Sequence, residues 1–267
     1  MTSGSKAVKH TAKTVLKNNL LSVMFGCSIF LFTFFIVSYV SYFLGVVAGT
    51  IASEVIYISL SVLVIFPLLL GLFRFVWRLL LDAKDTPIAI FYYFCGMDEY
   101  IKSLKFFLKV FAKCIIPAVF FFLPSLAVQV ILSGKIFEWL DVSIPLWSAN
   151  LEYVYLFLRS LAYILLIIYM LKYYLAPFLI VSDENMDIDE ALNMSRIISR
   201  KTTVDFIYLF FSFALWSLLS VLVIPLIFTL PYFLTSYAVH YRYAVADYNR
   251  HIEESTSNEF PTYVAGV

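Results

Sequence analysis

Apolar residues run through this chain in long unbroken stretches rather than in short alternation. Residues 20–47, 55–73, 106–132, 154–170, 206–223 and 227–238 are almost entirely Leu, Ile, Val, Phe, Tyr and Ala. A helix rises about 1.5 Å per residue and bilayer hydrocarbon is about 30 Å thick, so about 20 apolar residues make one crossing. Several stretches reach that length, which predicts an all-α polytopic membrane bundle. Strands of a membrane barrel would alternate over about ten residues instead. The six predicted spans cover about 20–47, 55–77, 106–132, 154–175, 205–224 and 227–246. They form a single transmembrane domain over 1–249, followed by a polar tail at 250–267.

The last two spans come from one hydrophobic region, 204–248, with Pro225 and Pro231 near its middle. That region is too long for one crossing, and proline cannot donate its helical hydrogen bond, so a break is expected there. Two spans with a tight turn is the preferred reading, and a re-entrant final segment is the alternative.

Amphipathic stretches precede the odd-numbered spans. Val8, Ala12, Val15 and Leu16 oppose Lys9, Lys13 and Lys17. Ile101, Leu104 and Leu108 oppose Lys102, Lys105, Lys109 and Lys113, and Ala191, Leu192, Ile197 and Ile198 oppose Arg196 and Arg200. This spacing places apolar side chains on one helical face. A unit of basic amphipathic helix, span, turn and span thus recurs three times. It reads either as three parallel repeats or as the charge rhythm of any six-span chain with both ends on one side. The third stretch has a start signal: Asp187 at the cap position, with Glu190 three residues on.

Composition agrees with this class. Hydrophobic residues make up 62% and charged residues 14%, with a mean hydropathy of +0.90, against about half and a quarter in soluble domains. Charge placement orients the spans. Lys and Arg crowd residues 6–17, 74–113, 172–201 and 242–250, and are sparse or absent at 48–54, 133–153 and around Pro225. The positive-inside rule then puts both termini in the cytoplasm, with the chain multi-pass in the membrane. The first apolar run exceeds a signal-peptide core of about 7–15 residues, so it is expected to be retained as a helix. Cys27, Cys95 and Cys114 are scattered and read as packing residues. Trp77, Trp139, Trp147, Tyr173, Tyr174, Tyr241 and Tyr243 fall near span ends, where an interfacial belt is expected.

The run Tyr174-Leu175-Ala176-Pro177-Phe178-Leu179-Ile180-Val181-Ser182-Asp183 leads into Glu190-Ala191-Leu192-Asn193-Met194-Ser195-Arg196. Later come Phe211-Ser212-Phe213-Ala214-Leu215-Trp216 and Pro231-Tyr232-Phe233. Over about 173–243 this resembles a bacterial integral-membrane family of unknown function, akin to the membrane domain found beside glycerophosphodiester phosphodiesterases. The resemblance implies a six-helix bundle. It carries no phosphodiesterase domain and no catalytic residues.

Catalytic chemistry finds few parts. No predicted span interior holds Asp or Glu, and His10, His240 and His251 lie at edges or tails, so carboxylate relays and paired-acid proteolysis lack their groups. Residues 183–190 place Asp183, Asn185, Asp187 and Asp189 at alternate positions, as a calcium loop would. Ile188 stands where that loop needs glycine, and Met194 where it needs glutamate. Helix capping explains those acids better. No catalytic residue, cofactor or metal is expected.

The cations at membrane depth are the site candidates. Arg159 lies about six residues into the fourth span, roughly 9 Å along it. It either lines a polar site or snorkels to the interface. Arg74 and Arg78 end the second span and Lys109 and Lys113 begin the third. They form either a pocket for lipid phosphate or plain orienting charge. The expected function is a non-enzymatic membrane module, transporter-like or accessory, handling lipid, peptide or anionic solute. The alternative is a scaffold or assembly subunit. Expected partners are membrane lipids and a membrane protein, with no nucleic acid.

Overall fold

The computed structural model describes residues 5–83, 85–133, 150–219 and 223–259. Every regular element among them is helical. In chain order these are α1 (Ser5–Ala48), α2 (Thr50–Leu60), a π-helical turn (Ser61–Ile65), α3 (Phe66–Leu80) and a 3-10 turn (Pro87–Phe91). Then follow α4 (Tyr92–Cys95), α5 (Met97–Leu132), α6 (Leu151–Met170), a second 3-10 turn (Leu171–Tyr173), α7 (Ala176–Ser182), α8 (Ile188–Leu219) and α9 (Val223–Glu259).

Among the described residues, four segments are long and apolar enough to cross a membrane: Lys6–Val47, Thr50–Leu80, Met97–Leu132 and Leu151–Ser182. They overlap the first four predicted spans. The last two predicted spans fall on α8 and α9, and the fifth runs through 220–222, which lie outside the described residues. So do the connection at 134–149, with Trp139 and Trp147, and the tail from 260.

The chain divides into two compact units, Met1–Phe107 with Leu175–Val267, and Leu108–Tyr174. In the first unit, α1 and α2 form a hairpin around Gly49. Its φ of 94° is a left-handed value that only glycine adopts without strain. Ser53 Oγ closes the hairpin by donating to the Ser41 carbonyl at 2.8 Å. Where α3 begins, Pro67 withholds the amide that would otherwise serve the Leu63 carbonyl four residues back. The Tyr100 hydroxyl donates to that carbonyl at 2.9 Å.

An aromatic cluster centred on Phe178 forms the heart of this unit. The Phe178 ring lies 5.0 Å from Phe73, 4.9 Å from Tyr237 and 5.4 Å from Tyr241. Trp77 extends the cluster onto Tyr241, and Phe206 extends it onto Tyr237. Helices α3, α7, α8 and α9 are therefore joined through ring contacts, each worth about 0.5–1.5 kcal/mol beyond area burial. Tyr241, expected in an interfacial belt, is a core residue instead, and Trp77 is half-buried beside it.

Two of the predicted amphipathic stretches are not separate elements. Residues 7–19 are the opening turns of α1, and 188–202 are those of α8. Each runs on without a break because no helix breaker separates it from the apolar residues that follow. Their apolar faces are buried within the protein, through Val8, Ala12 and Leu16 on α1 and Ala191, Leu192 and Ile198 on α8. Lys9 Nζ donates to the Ser212 carbonyl at 3.4 Å and stands over the Phe213 ring. The Tyr232 hydroxyl donates to the Lys9 carbonyl. The remaining stretch, 88–107, is interrupted at Gly96, between α4 and α5.

The second unit is the hairpin of α5, from Leu108 onward, with α6 and the turn after it. Phe122 and Tyr163 meet edge to face at 4.9 Å. Cys114, Ser125 and Ala162 are buried, while Ile116, Phe120 and Phe157 are largely exposed. That outward apolar surface suits lipid as its solvent.

Candidate anion cleft and paired cations

Gly71, Arg74 and Arg78 share one face of α3, at successive steps of three and four residues. That face receives the segment 85–92. A Cβ on Gly71 would collide with the Ile90 carbonyl, so the turn can seat itself only because residue 71 has no side chain. Three residues on, the Arg74 guanidinium lies 3.5 Å from the centre of the Tyr92 ring. Its Nη2 and Nε donate to Glu184 Oε1 at 2.8 and 3.3 Å. One turn further, Arg78 Nε stands 2.6 Å from Asp85 Oδ2.

Glu184 also ties in α5, because Lys102 Nζ donates to its backbone carbonyl. Burial raises the Tyr93 phenol well above its usual range. Tyr92 is raised as well, by desolvation first and by the Glu184 carboxylate second. Both rings are therefore neutral at physiological pH. Arg74 and Arg78 each face a carboxylate, so the pair offers little surplus charge to a phosphate. Lys109 and Lys113 lie one turn apart on α5 in the second unit and are half-buried.

Two of the acids at 183–190, Asp183 and Asp187, are engaged in local turns. Asp183 Oδ1 accepts the Asn185 amide and Asp187 Oδ2 accepts the Asp189 amide, both at 2.9 Å. The second of these caps α8 at the predicted residue. Among the described residues no group of three or more His, Cys, Asp or Glu is placed to hold a metal ion.

Arg159 stands within the second unit, eight residues after Leu151 and so about 12 Å along α6. Tyr155, Arg159 and Tyr163 form a stripe at four-residue steps, and Phe122, Ser125, Leu126 and Gln129 form the facing stripe on α5. Together they line a half-open cleft of about 240 Å³. Arg159 Nη1 donates to the Tyr155 hydroxyl at 2.6 Å, and the guanidinium carbon lies 5.7 and 5.9 Å from the Tyr155 and Tyr163 ring centres. The polar lining is one guanidinium, two phenols, one carboxamide and one hydroxyl, with no acid among the lining residues. Ser125 Oγ donates to the Phe122 carbonyl. Such a set can surround an anion with charge-assisted donors in a medium of low dielectric.

Sequence reasoning picked out Arg159 but missed Ser125, Gln129 and Tyr155 beside it. Gln129 was the available signal, as a lone amide in an apolar run. No family model, no curated protein and no solved structure matches this chain.

Proposed function

We propose that the chain is a non-enzymatic integral membrane module, transporter-like or accessory, that handles an anionic ligand. It lies in the bacterial cytoplasmic membrane with six spans and both termini inside. The observation that carries this reading is the acid-free donor lining around Arg159, set between two apolar helices. A cation held at that depth is costly unless hydrogen-bonded, and its two tyrosines supply part of that compensation while leaving guanidinium donors for a ligand. The resemblance of 173–243 to the phosphodiesterase-associated membrane domain belongs to the same proposal and adds no site residue. The test is mass analysis of what co-purifies with the full chain in mild detergent. An anionic species present with the wild-type chain and lost in Arg159→Leu supports the reading. Its absence from the wild-type protein overturns it.

A scaffold role is the second reading. It is favoured by α5, where only 6% of the most apolar window is buried. A stoichiometric membrane-protein partner in the same preparation selects it.

A further inference from the structure

The anion reading leaves open whether the ligand arrives from water or from the bilayer. Resting on that reading, we infer that the cleft between α5 and α6 is a lateral binding site for an anionic phospholipid. Arg159 and Gln129 would hold the phosphate, and one acyl chain would lie along the exposed apolar stripes that continue from it.

The argument starts from the direction of the hairpin. Gln129 lies three residues before the end of α5, and Tyr155 four residues after the start of α6. The polar end of the cleft is therefore within about one or two helical turns of the ends that lead to the connection at 134–149. The Phe122–Tyr163 ring pair forms its other end. Beyond that pair the residues continuing the two stripes are apolar and exposed: Val119 and Ile115 on α5, and Ile167 and Met170 on α6. Polarity thus falls along the cleft from one terminus of the hairpin towards its middle, as it does along a lipid from headgroup to chain. The cleft is half open and flanked by exposed apolar side chains, so a lipid can enter sideways from the hydrocarbon without passing through water.

Charge complementarity selects an anionic headgroup over a zwitterionic one. The lining carries one guanidinium and no carboxylate, so its net charge is positive, and the Tyr155 and Tyr163 rings that could stack on a choline already have that guanidinium beside them. A water-soluble phosphate would satisfy the same donors yet leave the apolar continuation without an occupant.

The test uses the full chain in mild detergent, titrated with phosphatidylglycerol and phosphatidylcholine of the same acyl composition and read by native mass spectrometry. Inorganic phosphate and methyl phosphate serve as soluble competitors. The expected result is preferential retention of phosphatidylglycerol, about tenfold weaker in Arg159→Leu, weakened in Gln129→Leu, and little affected by the soluble phosphates. Thermal unfolding of both variants checks that the bundle remains folded. Equal retention of the two lipids, or wild-type retention by both variants, overturns the inference. Binding of methyl phosphate with no preference for phosphatidylglycerol sinks the lipid inference and leaves the anion reading standing. Binding of neither anionic lipid nor soluble phosphate sinks both.

Discussion

At the scale of single residues, the cations of this chain separate by what stands beside them. Arg74 is buried against Tyr92 and Glu184, and Lys102 reaches the same glutamate through its carbonyl. Removing the buried member leaves a partly desolvated carboxylate and an empty slot over a ring. Removing the more exposed member leaves a cation still stacked on that ring. Arg74→Ala is therefore expected to cost about 2–3 kcal/mol of stability and Glu184→Gln about 1 kcal/mol, read as thermal unfolding in detergent. Equal losses would count against the asymmetry in burial. Gly71→Ala should be worse than either, because the Ile90 carbonyl occupies the space of its Cβ and backbone must move. Gly71 was not singled out in the sequence, whereas the placement of Arg74 and Arg78 at the end of the second span was legible there. Their partners were not, because Glu184 is 110 residues from Arg74 and sits in a run that local rules read as capping and solvated loop.

At the scale of elements, the long apolar runs announce long helices, and local signals set their starts where chemistry is local. Asp187 is such a case, and Asp187→Ala should cost about 1 kcal/mol of local stability at the head of α8, measured by amide exchange there. Periodicity alone could not say what an amphipathic face packs against. Val8, Ala12 and Leu16 read as one face of an amphipathic helix, and that face is buried within the protein. The short helix α7 shows the same limit from the other side. It lies just past the predicted end of the fourth span at 175, where no packing role was read, but Phe178 makes it the centre of the aromatic cluster. Phe178→Ala should cost about 3–5 kcal/mol, more than any single change to a lipid-facing phenylalanine such as Phe120. A comparable loss at Phe120 would mean that its exposed face is covered by a partner.

At the scale of the whole chain, composition and run length were enough to give the helical class and four of the spans. The remaining pair rests on the length of the apolar region 204–248 and the prolines within it, and the proposed orientation on charge counting. Reporter fusions after Thr50, Lys135 and Phe228 should read external, and those after Lys84, Asp189 and Asn249 cytoplasmic. An external signal at Asp189 would overturn the proposed orientation, because the cations that follow it anchor the count. The bond from Tyr100 to the Leu63 carbonyl bears on how such a chain can drift. While Pro67 stands, losing the hydroxyl strips that acceptor of its donor, at about 1 kcal/mol. Pro67→Ala first would return an amide to the helix, and Tyr100→Phe would then be nearly silent. The two positions are thus epistatic, and the order of substitution sets the cost of the path: the tyrosine leaves more cheaply once the proline has gone.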